Sequence, residues 1–208
     1  MPTIDGFNAN GLDSDNDLTN YGGHLKQDGF VWVGRYVNPD KAQPLTNSEA
    51  HTLSQDGLYI VSLWEQGSPC EASYFTTSAG ADDGNGAVSA AQSIGQPTGT
   101  PIYFAVDYDA SQSDLTAISS YFAALYPIVR QAGYYVGVYG SGLVCQTLSP
   151  QGAGYASYTW LSQSQGFANY QTWLPSANIV QGPETTVDSL DVDLDYSGGH
   201  GGGWQIQA

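Results

Sequence analysis

Ile102-Tyr103-Phe104-Ala105-Val106 is followed by Leu115, Ile118, Tyr121, Phe122, Leu125 and Val129, and then by Tyr134-Tyr135-Val136-Gly137-Val138-Tyr139. The first run is continuously apolar, as a strand covered on both faces must be. The middle residues recur at intervals of three and four, the period of an amphipathic helix. Ser111 caps that helix, Pro127 kinks its last turn and Gly133 ends it. The step from Ile102 to Tyr134 is 32 residues, the size of one βαβ unit, whose two strands run parallel.

The same alternation extends both ways. Thr3 to Phe7 reads as a first strand. Val31 to Val37 is a second, ending at the turn Asn38-Pro39-Asp40. Thr46 and Glu49 form a capping box, Leu45 and Ala50 a hydrophobic staple, and the helix they open stops at Gly57. Leu58 to Trp64 is the third strand, with Glu65 at its end. Asp82 or Asp83 caps a helix of small residues that runs to Ile94, with Gly95 and Pro97 as stop signals. Beyond Tyr139 the strand signals are Tyr158–Leu161, Asn178–Gln181 and Leu190–Leu194. Eight strands with intervening helices imply an α/β fold, a single compact (β/α)8 TIM-like barrel over residues 1–196. An open doubly wound sheet is the alternative, but no Gly-x-Gly-x-x-Gly follows the first strand. Residues 197–208, which begin Ser197-Gly198-Gly199-His200-Gly201-Gly202-Gly203, read as a flexible glycine-rich tail.

The charge balance excludes whole classes of partner. Of 208 residues, 20 are Asp or Glu and 4 are Lys or Arg, a net charge of −16. Such a chain has no basic footprint for nucleic acid, and it is repelled by anionic membrane surfaces. No apolar run approaches the ~18 residues of a membrane span. Met1-Pro2-Thr3-Ile4-Asp5 carries neither the basic nor the apolar region of a signal peptide. Charged residues are only 12% of the chain, and aromatics also make up 12%. An uncharged polar, aromatic-rich surface is common in secreted proteins that face carbohydrate. Cys70 and Cys145 read as two unrelated buried thiols or as one bridge, and in neither case does the fold depend on them. His24, His51 and His200 are scattered and form no ligand motif, so no metal site is expected.

In a barrel the side chains at the C-terminal strand ends surround the active-site mouth. On the expected strands these are Asp5 and Asn8, Arg35, Glu65, Asp107 and Asp109, Gln163, Gln181, and Asp193 with Asp195. Asp107 and Asp109, at i and i+2 of an extended chain, would lie about 6.6 Å apart on one face. Two carboxyls so close, with Asp193 nearby, force at least one pKa upward, and an acid beside a base is what glycosidic cleavage requires. Helix capping is the competing role for Asp109. Asp191-Val192-Asp193-Leu194-Asp195 fits a strand with one acidic face. It fails as a calcium loop, because Tyr196 stands where Gly is needed and Gly202 where Glu is needed. Gly140-Ser141-Gly142 lacks the spacing of a nucleophile elbow. Tyr36, Trp64, Tyr108, Tyr139 and Trp160 are candidate platforms for sugar faces.

Taken together, Ile102 to Asp109, Gly137-Val138-Tyr139-Gly140-Ser141-Gly142, Tyr158 to Ser164, Val192-Asp193-Leu194-Asp195-Tyr196, Val33-Gly34-Arg35-Tyr36 and the strand ending in Glu65 resemble the glycoside-hydrolase-like family known as domain of unknown function 1906. That family in turn resembles the glycoside hydrolase family 25 lysozymes. The resemblance implies a barrel muramidase that cleaves the β-1,4 bond of peptidoglycan. It places Asp107 and Asp109 on the lysozymes' Asp-x-Glu motif, Asp193 on the last-strand aspartate and Asn8 on the first-strand aspartate. Glu65 would supply the acid missing at Asn8. The expected catalytic set is Asp107, Asp109, Glu65 and Asp193; Asn8, Asp5, Arg35, Tyr36, Trp64, Tyr108, Tyr139, Trp160, Gln163 and Gln181 would bind substrate. The expected partner is peptidoglycan, met by a monomer outside the cytosol, at the cell wall or in the periplasm, with no cofactor. The alternative is a wall-glycan binding module on a barrel that no longer turns over. Asn8 and the short side chain of Asp109 favour that reading.

Overall fold

The computed structural model describes residues 8–207. Eight strands close into a barrel in sequence order. They are β1 (Ala9–Ser14), β2 (Phe30–Tyr36), β3 (Tyr59–Trp64), β4 (Pro101–Ala105), β5 (Tyr135–Gly140), β6 (Tyr158–Leu161), β7 (Ile179–Val187) and β8 (Leu190–Ser197). Helices α1 (Gly22–Gln27), α2 (Asn47–Gln55), α3 (Thr77–Ile94), α4 (Leu115–Gln131), α5 (Gly142–Leu148) and α6 (Tyr170–Trp173) occupy the connections. The expected α/β barrel is thus present.

The last strand runs against expectation. β1 to β7 are parallel to their neighbours, but β8 is antiparallel to both β7 and β1. Only Asp188 and Ser189 separate β7 from β8, and both have positive φ (50° and 70°). That is a two-residue hairpin turn, and a parallel strand would need a crossover of a dozen residues or more. The expected first strand, Thr3 to Phe7, lies outside the described residues. The strand in that place, Ala-Asn-Gly-Leu-Asp-Ser, has one large apolar residue and is held by pairing on both sides, to β2 and β8.

Alternate residues of each strand sort into two cores. Trp32, Val61, Leu63, Tyr103, Ala105, Trp160 and Ile179 fill the barrel interior. Their neighbours, such as Val33, Ile60, Phe104 and Val138, face outward to the helices. Trp160 is the centre of the interior. It stands edge-on to Trp32 (5.7 Å between ring centroids), Tyr103 (5.6 Å) and Tyr139 (5.8 Å). Its ring fits because residue 34 is glycine: a Cβ there would lie 2.8 Å from the Trp160 ring and 2.8 Å from Asp13 Cβ.

Helix starts differ from expectation where a tertiary partner captures the capping side chain. Thr46 Oγ1 accepts from Glu49 N at 3.1 Å, as the capping box requires. The Glu49 side chain does not return to Thr46. Instead it accepts from Arg35 at 2.7 and 3.2 Å and from Leu18 N at 2.9 Å. Helix α3 begins several residues before Asp82, capped by Thr76. Asp83 is therefore inside the helix and buried, accepting from the hydroxyls of Tyr74 and Tyr121.

The glycine-rich tail is not free. β3 pairs with β4 only from Ser62 onward, so the edge at Ile60 is open. Trp204 fills it, exchanging both backbone hydrogen bonds with Ile60 at 2.8 Å and donating its indole N–H to Ser62 Oγ at 2.9 Å. Tyr103 Oη donates to the Gly201 carbonyl at 2.7 Å, and His200 stacks on Tyr59. The segment seals the end of the barrel opposite the mouth.

Cys70 is exposed and Cys145 is buried, and both are free thiols. Reductant should therefore leave the melting temperature unchanged in scanning calorimetry. A fall on adding dithiothreitol would reveal a bridge that the fold relies on.

Candidate active site

At the C-terminal ends of the parallel strands lie two adjoining cavities. The inner one, about 250 Å³, is lined by Asp13, Tyr36, Glu65, Asp107, Tyr139, Trp160, Gln163, Gln181 and Asp193 among others. The outer one is a groove of about 550 Å³ between the loop after β1 and the β7–β8 hairpin. Asp13, Tyr36, Glu184 and Asp193 line both.

β1 and β8 place two carboxyls side by side, because Asp13 and Asp193 are register partners. Deeper on β8, Asp195 is fully buried and accepts from Trp160 Nε1 at 2.9 Å. Asp13 is only 6% exposed. Burial, and then the charge of Asp193, push its carboxyl up to about 7. Burial and the charge of Asp13 also push the Asp195 carboxyl well above its ordinary value. Burial and Glu184 also raise Asp193. Asp13 Oδ1 and Asp193 Oδ1 are buried without a hydrogen-bond partner among the described residues.

β3 and β4 supply the other wall. β4 and β8 are four strands apart in a ring of eight, so Asp107 and Asp193 face each other across the mouth. Glu65 lies beside Asp107 on the next strand, and burial and Asp107 raise it while its 2.9 Å pair with Lys41 opposes that shift. Lys41 also sits 4.1 Å from the centre of the Tyr36 ring. Gln181 ties the floor together: its Oε1 accepts from Tyr139 Oη (2.8 Å) and Gln163 N (3.2 Å), and its Nε2 donates to Asp193 Oδ2 (2.8 Å).

Several expected site residues lie elsewhere. Asp5 is outside the described residues. Asn8 donates its backbone N–H to the Ser197 carbonyl at the far end of the barrel, so it cannot be the first-strand acid. The acid at the mouth end of β1 is Asp13. Arg35 points outward and is fully buried in its pair with Glu49, with further bonds to the carbonyls of Ser14 and Gln43. Trp64 also points outward, against Gly86 of α3. Asp109 is past the end of β4, so strand geometry does not hold it beside Asp107. It is exposed and accepts from Ala168 N at 3.0 Å, outside both cavities. Tyr108 stacks on Phe75, away from the mouth. Trp160 is the fully buried floor and not an open platform.

The sequence reading missed Asp13, Asp15, Glu184 and Asp191 as lining residues. The acidic run Asp13-Ser14-Asp15-Asn16-Asp17 directly after Leu12 was the available signal.

A barrel mouth ringed by carboxyls, some of them raised, can set a protonated acid beside an ionised one. The chain belongs to the Rv2525c-like, glycoside hydrolase-like domain family, whose sequence profile matches residues 23–197. The uncharacterized Bacillus subtilis (strain 168) protein YbfG is 32% identical over 160 residues, 69% of this chain. That match spans 21% of YbfG, so this chain corresponds to about a fifth of its curated relative. The Tat-secreted protein Rv2525c of Mycobacterium tuberculosis, solved in complex with L-tartrate, superposes with a TM-score of 0.77 at 25% identity, covering 94% of this chain and 98% of that one. The catalytic domain of endolysin ply40 from bacteriophage P40 of Listeria monocytogenes shares the fold, with a TM-score of 0.58 at 15% identity over 91% of this chain and 92% of that one.

Proposed function

We propose that this chain is a glycoside hydrolase of bacterial cell-wall glycan, with the β-1,4 bonds of peptidoglycan as its target. The observation that carries this reading is Asp13, a buried carboxyl poised near neutral pH where the two cavities meet. Such a group can hold a proton for the glycosidic oxygen at the pH where a neighbouring carboxylate is free of one. Asp107 and Glu65, on the wall away from Asp13, take the role of base. Asp193, held through Oδ2 by Gln181 Nε2, offers its negative charge to the positive charge that develops on the sugar ring. Tyr36 and Tyr139, which line the inner cavity, supply aromatic surface for sugar rings. We place its work at the cell wall or in the periplasm as a monomer. Rv2525c, the secreted relative, supports that location.

Purified sacculi incubated with the protein should release fragments with new reducing ends, detectable by mass spectrometry, and Asp107→Asn should release none. If the wild type releases none from acidic to neutral pH, the hydrolase reading fails. The second reading, a glycan-binding module without turnover, then applies. It is favoured by one feature: Asp109, the position matched to the lysozyme acid, is engaged with Ala168 outside the mouth.

A further inference from the structure

We propose that Lys41 is a positioning residue that holds Glu65 in its ionised form as the base of the mouth, across the inner cavity from the acid Asp13. This inference rests on the hydrolase reading above and chooses between the two carboxyls assigned there to the base.

Glu65 and Asp107 follow neighbouring strands and line the same inner cavity. Two carboxyls on one wall do not ionise independently, so a nearby cation decides which of them gives up its proton first. The chain has four Lys and Arg in all, and three are engaged away from the mouth. Arg35 is buried on Glu49, Lys26 donates to the Gly57 carbonyl and Arg130 lies over Tyr135. Lys41 is the cation that reaches the mouth, and its Nζ pairs with Glu65 Oε1 at 2.9 Å. Among the described residues Asp107 has no ion pair.

The backbone delivers that ammonium by construction. Asn38-Pro39-Asp40-Lys41 is a tight turn closed by the Lys41 N–H on the Asn38 carbonyl at 3.3 Å. Its second residue is proline, whose fixed φ suits that position. Asn38 is buried, and its Nδ2 donates to the backbone carbonyl of Glu65 at 2.8 Å. One turn therefore holds both the main chain and the carboxylate of Glu65. The Lys41 ammonium also stands 4.1 Å from the centre of the Tyr36 ring, which fixes it from a second side. Tyr36 ends β2, the strand between β1, which carries Asp13, and β3. The Lys41 and Glu65 side chains are 25% and 21% exposed, so water and salt screen the pair only in part.

The charged and titratable groups that face Glu65 are Lys41 and Tyr36 from β2 and its loop, Asp107 from the end of β4 and Asp15 from the loop after β1. Burial and the two aspartates favour a proton on Glu65, and Lys41 opposes them. Removing the ammonium must therefore move the titration of Glu65 to higher pH, toward that of Asp13. The interval in which an ionised Glu65 meets a protonated Asp13 then narrows from its acidic side.

Two measurements on wild type, Lys41→Met and Lys41→Arg test this: carboxyl-carbon NMR titration of Glu65, and the pH–rate profile on sacculi. An opposite charge this close lowers a carboxyl by about one pH unit or more. The Glu65 midpoint and the acidic limb of the profile should both rise by about that much in Lys41→Met and return in Lys41→Arg. The alkaline limb, set by Asp13, should stay in place. Well below the acidic limb Lys41→Met should be about 10-fold slower than wild type. Methionine keeps an apolar stem over Tyr36, and Lys41→Gln repeats the titration should the Met variant not fold. An unmoved midpoint overturns the proposal. So does a raised midpoint with an unmoved acidic limb, which returns the base to Asp107. If sacculi are cleaved at no pH, the hydrolase reading fails, and the NMR midpoint by itself decides whether Lys41 holds Glu65 ionised.

Discussion

Asp13→Asn is expected to abolish cleavage of sacculi and at the same time to raise the melting temperature at pH 8. The loss follows from removing the proton donor, worth about 100- to 10,000-fold in rate. The gain follows from linkage. Asp13 has its carboxyl near 7 in the folded state against about 3.9 in an unfolded chain. The stability that the protonated form contributes is complete below about pH 4 and is lost as pH rises to 7 and beyond. Three units correspond to about 4 kcal/mol between those limits. At pH 8 the wild type holds a buried charge beside Asp193, and asparagine removes it. The new amide also brings a donor toward Asp193 Oδ1 and Asp195 Oδ2, both without partners. A gain of roughly 5 °C is expected for a domain of this size. Melting curves from pH 4 to 8 should fall more steeply for wild type than for the variant. The wild-type cleavage rate should decline as pH rises through about 7, as the acid loses its proton. Retained cleavage would remove Asp13 from the chemistry. A lower melting temperature at pH 8 would show that its charge is compensated.

Arg35→Ala should lower stability by about 3–5 kcal/mol, because it leaves Glu49 as an unpaired charge in a fully buried site. The melting temperature would fall by roughly 10 °C. Two carbonyls, of Ser14 and Gln43, lose their donor in the same change. Arg35→Met with Glu49→Leu removes both charges and should recover most of the loss, since a buried pair is often replaceable by apolar side chains of similar size. Denaturant titration of the three proteins measures this. The result also separates two roles for Arg35. A stability loss that the double variant restores marks a strut between β2 and α2. Unchanged stability with weakened glycan binding would return Arg35 to the mouth.

Much of the barrel is legible in the chain. Each strand from β2 to β5 is a compact run rich in apolar residues, and the helix over 115–131 has one unbroken apolar face. Such segments announce themselves because burial on one or both faces demands apolar residues at the structural period. β1 is not legible, since its pairing with β2 and β8 substitutes for side-chain burial. Glu49 shows the limit of local rules. Three residues after Thr46 it reads as half of a capping box, yet a buried guanidinium from a strand outbids a backbone N–H that water can satisfy.

Strand-end logic brought Glu65, Asp107, Gln163, Gln181 and Asp193 correctly to one mouth. Asp193 arrived there by a different route, since β8 runs in reverse and presents its first half to the mouth. Arg35, Trp64 and Asp109 show why the rest could not be read. Strand residues alternate between the two faces, and an error of one position in where a strand ends exchanges interior for exterior.

The chain alone determined that a barrel forms, because alternating runs of apolar strand and amphipathic helix have few ways to bury both. It also determined that acids would dominate whatever the barrel presents, since 20 of them stand against 4 cations. Which acids meet was decided only by tertiary structure. The closure of β8 against β1 sets Asp13 beside Asp193 and above Asp195, across 180 residues of sequence. Burial at that seam raises a carboxyl to about 7, and desolvation is a property of the assembled interior that no stretch of sequence carries.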